Sequence, residues 1–191
     1  KEYIEGELKK TQTKIRPNMV RGHLRALSTE IEDGIAAFLL DILPDGYKAY
    51  VDASVRVGEK THRPDILIID NKNNVKALVE VKTNMGWCRN AECEIGKICD
   101  KHKEMFSNGN IYCKFSNDPQ AEVCYSKDVQ VYLVAFTSHN CGDSSHEKNR
   151  EIAEENKVKY YRLFSGWYDD LEPLEIKKFA DEISSDVIKG E

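Results

Sequence analysis

The sequence predicts an α/β protein: a central mixed β-sheet flanked by helices. Three stretches carry that expectation. An amphipathic stripe runs from about residue 24 to 42, two strand-length apolar runs are joined by a polar turn between residues 63 and 82, and a third apolar run covers residues 129–136. Helical and strand periods that alternate along a chain point to helices layered over a sheet. With 191 residues the chain can bury a sizeable core, and we expect one domain over residues 1–191.

Residues 1–20 are polar and partly basic (Lys9, Lys10, Lys14, Arg16) and read as an N-terminal arm or short helix, either solvated or laid along a phosphate backbone or a partner. Apolar residues at 24, 27, 31, 35, 38 and 42 then form one face of a helix, which Pro44-Asp45-Gly46 ends. Glu30 and Glu32 flank that stripe on either side. Tyr47 to Val57 reads as one strand with Val51, Ala53, Val55 and Val57 on one face, and Gly58 to His62 as a turn. Arg63 to Asp70 and Ala77 to Lys82 read as a β-hairpin closed by Asn71-Lys72-Asn73-Asn74, with Pro64 at the strand entrance, where a missing N–H is tolerated.

After the hairpin, Thr83 to Trp87 reads as a loop and Asn90 to Phe106 as a helix. Its Lys97, Lys101 and Lys103 read as a solvated face or as phosphate contacts. Residues 107–127, rich in Ser, Asn, Asp and Gly, read as an insertion or hairpin suited to target recognition. Val129 to Phe136 reads as a core strand, followed by a polar loop, a helix over 146–156, a strand over Lys159–Phe164 and a last helix over Pro173–Ile188.

A charged fraction of 32% and a hydrophobic fraction of 40% fit a globular protein. No apolar run approaches the ~20 residues of a membrane span. The first residues lack the apolar core of a signal peptide, so a cytoplasmic protein with no membrane partner is expected. A net charge of −5 argues against nucleic-acid binding by overall charge, but not against a local basic groove. The six cysteines (Cys88, Cys93, Cys99, Cys113, Cys124, Cys141) lack the paired spacing of a zinc site. Cys88, Cys93, Cys99 and His102 form a possible metal set, with free thiols the preferred reading. The five histidines show no HxH or HExxH spacing, and no Walker loop, GxGxxG or Ser-His-Asp signal occurs, so no nucleotide cofactor is expected.

The hairpin carries charge where a buried strand should be apolar. Leu78, Glu80 and Lys82 share one face, and in a simple register Asp65 faces Glu80 across the ladder. Burying such ions is costly unless they are paired or hold a metal. An ion pair at a solvated sheet edge is the plain alternative. The apolar quality of Ile66–Ile69 and Ala77–Val81 argues instead for central strands.

Pro64-Asp65, a gap of fourteen residues and Glu80-Val81-Lys82 resemble the PD-(D/E)xK nuclease superfamily, the restriction-endonuclease-like fold of many restriction endonucleases, Holliday-junction resolvases and repair nucleases. The resemblance covers roughly residues 24–90, and beyond them only the order of elements. It implies a Mg²⁺-dependent endodeoxyribonuclease (Mn²⁺ substituting) acting on double-stranded DNA, most specifically a type II restriction endonuclease. A homodimer would set two sites on a palindrome. A divalent cation polarises the phosphate, lowers the pKa of its water and neutralises the leaving oxygen. By resemblance, Asp65, Glu80 and the carbonyl of Val81 hold the metal, Glu32 holds it directly or through water, and Lys82 stands beside the attacking water. Glu32 is preferred over Glu30 because Ile35, Ala36 and Leu39 follow it at +3, +4 and +7. Arg63, Trp87 and Arg89 are candidate DNA contacts, each with a plain reading as surface charge or packing anchor. Other readings are a resolvase or repair nuclease, and, from another class, a non-catalytic DNA-binding or assembly protein that keeps the fold.

Overall fold

The computed structural model describes residues 19–21, 29–57, 59–85, 91–106, 110–114, 121–137, 141–165 and 171–189. Its elements in chain order are β1 (Met19–Arg21), α1 (Thr29–Ile42), β2 (Lys48–Val51), β3 (Ser54–Val57), β4 (Lys60–His62), β5 (Ile66–Ile69) and β6 (Asn74–Asn84). They continue as α2 (Ala91–Phe106), β7 (Asn110–Lys114), β8 (Ala121–Thr137), α3 (Asp143–Glu155), β9 (Val158–Phe164) and α4 (Pro173–Lys189). The protein is α/β, with a mixed central sheet between helices.

Within the described residues the strands join one sheet in the order β1-β2-β5-β6-β8-β7-β3-β4, with β9 also on β8. The β2–β5 and β5–β6 pairs are antiparallel, and the β6–β8 and β8–β9 pairs are parallel. Strand β8 is long enough to take β7 antiparallel along its first residues and β9 parallel along its last. The expected hairpin is therefore central, with β6 held between β5 and β8.

Alternation along the central strands divides the core in two. Ile66, Ile68, Ala77, Val79, Tyr132 and Val134 face α1 and α4, against Leu39, Phe179 and Ile183. Leu67, Ile69, Leu78, Val131, Leu133 and Ala135 face α2 and α3, against Ile95, Ile98, Met105 and Ala153. Each fully buried aliphatic side chain here contributes about 1.5–3 kcal/mol. Among the described residues no helix is long and apolar enough to cross a membrane.

Several local readings change. The single strand expected over residues 47–57 breaks at Asp52, whose φ of 48° turns the chain. Its N–H donates to the carbonyl of Asp65 at 2.8 Å, so β2 pairs with β5 while β3 leaves to pair with β4 and β7. Val51 accordingly packs on the α1 side and Ala53 and Val55 on the α2 side, not on one common face. Residues 60–62 form a short strand where a turn was expected. A bulge between Ile68 and Ile69 sets Val75 and Ala77 on opposite faces. Residues 110–114 and 121–124 do pair as a hairpin, and β8 begins at Ala121, earlier than the expected Val129. At the start, Met19–Arg21 pairs parallel with β2, whereas residues 1–18 and 22–28, with the rest of the expected arm and the first turn of the expected helix, lie outside the described residues.

Candidate active site

The turn between β5 and β6 sets the site's register. Oδ1 of Asp70 accepts the N–H groups of Lys72 and Asn74, both at 2.8 Å, and Asn73 takes the left-handed φ of 63° that Asn tolerates. Leu67 then lies opposite Leu78 and Ile66 opposite Val79. The next step of the same ladder brings Asp65 to Glu80, both on the α2 side of the sheet. The Val81 N–H donates to Oδ2 of Asp65 at 2.6 Å, and the Asp65 charge acts directly on the Glu80 carboxyl.

Glu80 is 5% exposed. Burial, and then the Asp65 charge beside it, push its carboxyl up to about 7, against the pull of Lys101 and Lys82. Burial also raises Asp65, opposed by the Val81 N–H, by Lys82 and Lys101, and by the neighbouring Glu80 carboxyl. Near neutral pH the pair thus holds a proton that isolated carboxyls would have lost. Lys82, two residues beyond Glu80 on the same face, is half-buried.

Two α2 residues complete the surroundings. Nζ of Lys101 donates to Oε1 of Glu80 at 3.0 Å and to the carbonyl of Arg63 at 3.0 Å. Nε2 of His102 lies 3.8 Å from the same Glu80 oxygen. Burial, followed by the Lys101 and His62 charges, lowers His102 to about 3, so its imidazole is neutral at physiological pH. Neither residue was singled out for this site from the sequence, although the signal was present. Ile95, Ile98, Cys99 and Met105 mark the buried stripe of α2, His102 falls on it at Ile95 +7, and Lys101 lies at its margin at Ile98 +3.

The structure therefore gathers Asp65, Glu80 and Lys82. Glu32 is half-buried in the first turn of α1, a helix packed on the opposite face of the sheet from the two carboxyls. Glu30 lines an apolar cavity of about 350 Å³ with Phe38, Phe136, Leu163 and Phe179 on that face. Among the described residues no three His, Cys, Asp or Glu side chains form a metal-holding group. The Arg63 guanidinium is held by Asp52 at 2.9 Å. Trp87 and Arg89 lie outside the described residues, as do the side chains of Cys88, Cys93 and Cys113. Cys99, Cys124 and Cys141 are free thiols, and burial pushes the Cys99 thiol up, away from the thiolate a metal requires.

The chain matches no family model, no curated protein and no solved structure. The chemistry of the site therefore rests on its own atoms. Two adjoining carboxyls in a buried setting offer hard oxygen donors to a cation. Mg²⁺ in particular is commonly held by one or two carboxylates, with water filling its other positions. The donor set fits such an ion.

Proposed function

We propose that this protein is a Mg²⁺-dependent endodeoxyribonuclease with a restriction-endonuclease-like fold, of the PD-(D/E)xK group, cutting double-stranded DNA. One observation carries the reading: the register of a central hairpin sets Asp65 beside Glu80, its Oδ2 held by the Val81 N–H, with Lys82 two residues on along the same face. A structural protein gains little from a buried carboxyl pair that keeps a proton near neutrality, whereas a cation site needs two adjoining carboxylates, whose proton the ion would displace. Mg²⁺, or Mn²⁺ in its place, would supply charge neutralisation and polarisation of the scissile phosphate. Asp65 and Glu80 would bind the ion, with the Val81 carbonyl as a further oxygen; Glu32, expected as a third ligand, stands on the helix across the sheet from them and is left out of the set. Lys82 holds positive charge beside the phosphate and favours deprotonation of the attacking water. Arg63, with Trp87 and Arg89, would contact the DNA backbone. We assign the chain most specifically to a cytoplasmic type II restriction endonuclease working as a homodimer on a palindrome, with a resolvase or repair nuclease as the neighbouring assignment.

The test is incubation of supercoiled plasmid with the purified protein and Mg²⁺, Mn²⁺ or a chelator. Discrete fragments fit restriction, a smear fits a nonspecific nuclease, and preference for branched DNA fits a resolvase. Cation-dependent cleavage lost in Glu80→Gln and Lys82→Met supports the assignment, and no cleavage of any substrate with either ion defeats it. Lys101 favours a second reading, a DNA-binding or assembly protein without catalysis, since its ammonium already neutralises Glu80. Under that reading DNA is retained in a shift assay and no cation produces a cut.

A further inference from the structure

Lys101 comes from α2, outside the hairpin that supplies the acidic pair, yet it bridges the hairpin's two sides. Its Nζ bonds Oε1 of Glu80 on β6 and the carbonyl of Arg63 at the entrance to β5, each at 3.0 Å. Its side chain is 24% exposed while that of Glu80 is 6% exposed, so the stem is covered and the ammonium stands between the buried carboxyl and solvent. Lys82 and Lys101 both act on Asp65 and Glu80. Lys101 differs in holding one of the oxygens that a cation would need.

We propose that Lys101 is a positioning residue that serves as the site's built-in counter-cation: a divalent ion must displace its ammonium from Glu80, so Lys101 sets how tightly the site binds that ion. This rests on the nuclease reading above. Two cations cannot share one carboxylate oxygen without strong repulsion, which is greatest in a buried site where water does not screen it. The Arg63 carbonyl supplies a second acceptor, so the displaced ammonium keeps one hydrogen bond and stays at the rim of the site. The cost of releasing it is therefore partial, which makes the arrangement reversible. An empty site keeps Glu80 neutralised, and a loaded one frees a positive group next to where a phosphate would lie. Lys103, exposed on the same helix and paired with Asp100, carries the same formal charge without reaching the carboxyls and provides the control.

The experiment is Mn²⁺ binding followed by electron paramagnetic resonance at about pH 8, without DNA, on the full chain. The wild type is compared with Lys101→Met, Lys101→Gln, Lys103→Met and Glu80→Gln. Loss of the Lys101 charge is expected to tighten Mn²⁺ binding by about tenfold or more, Lys103→Met to leave it unchanged, and Glu80→Gln to abolish it. A readout on the wild type needs no folded variant: Mg²⁺ is expected to raise acetylation of Lys101 relative to Lys103 by mass spectrometry. If Mn²⁺ binding depends on Glu80 but is unchanged or weakened without Lys101, or if Mg²⁺ leaves Lys101 labelling unmoved, the counter-cation role is overturned while the metal site stands. If the wild type binds no Mn²⁺, or Glu80→Gln binds it equally, both fall.

Discussion

The Val81 N–H points at Oδ2 of Asp65 across 2.6 Å. That amide lies between Glu80 and Lys82 in the chain, so the strand that presents one carboxyl and the amine also aims the second carboxyl. The geometry of the pair is therefore set by ladder register and not by flexible side-chain encounter.

Asp65→Asn keeps an acceptor for the Val81 N–H and removes the charge that helps raise Glu80. We expect the fold to persist, DNA cleavage to be lost, and the Glu80 carboxyl to titrate below about 7 by carbon NMR. A Glu80 titration unmoved by this substitution would mean that the two carboxyls do not interact.

The raised Glu80 carboxyl also sets a pH dependence. Folding lifts it from its ordinary value of 4.5 to about 7, so between those values the native state holds a proton that the unfolded chain has released. Stability from this group therefore falls as pH rises through that window, by roughly 1–3 kcal/mol, and Asp65 adds in the same direction. The groups facing Glu80 are Asp65 from the β5 entrance, Lys82 from its own strand, and Lys101 and His102 from α2. Glu80→Gln is thus expected to be more stable than wild type at about pH 8, with the advantage shrinking toward about pH 5, as read from urea midpoints in a chelating buffer. His102, lowered to about 3, works oppositely, costing stability as pH falls below its ordinary range, and it does so in both proteins.

Cation binding should stabilise the fold. At a Mg²⁺ concentration about a hundredfold above Kd the gain is about 2.7 kcal/mol, a rise in Tm of several degrees for a chain of this size. Scanning calorimetry of wild type with and without Mg²⁺ measures it, and Glu80→Gln is expected to show no rise. An equal rise in that variant would place the ion elsewhere.

Away from the site, the Tyr132 hydroxyl donates to Asp186, which also takes Lys159 at 2.7 Å. Tyr132→Phe should cost about 1 kcal/mol of stability and leave Mn²⁺ affinity unchanged, because the ring packing against Tyr161 and Phe179 is kept. A variant that weakens Mn²⁺ binding would reveal coupling between α4 and the carboxyl pair.

Much of this arrangement was legible because it obeys short-range rules. The stripe through Ile35 and Leu39, the apolar runs Ile66–Ile69 and Val131–Val134, and the polar turn after Asp70 each state their period or turn chemistry locally. The facing of Asp65 and Glu80 follows from period two and a tight turn. What was not legible depended on distant partners. The break at Asp52 is made by a bond to Asp65, and β2 and β3 part because β5 and β7 are there to receive them. The inward turn of Lys101 depends on which face of α2 meets the sheet, which a run of lysines does not announce. Placing the acidic turn of α1 likewise requires knowing which side of the sheet the helix covers.

The parallel pairing of β6 with β8 has a consequence for how the chain assembles. It joins residues far apart in sequence, Glu80 with Leu133 among them, and such contacts close slowly, whereas the β5–β6 hairpin closes over its own short turn. We therefore expect the acidic pair to form hydrated before β8 and α2 cover it, so that the late step strips water from ionised oxygens at alkaline pH. Refolding should run faster at about pH 5 than at about pH 8, a difference that Glu80→Gln removes. In this protein the groups proposed to bind the ion would also act as the brake on its own maturation.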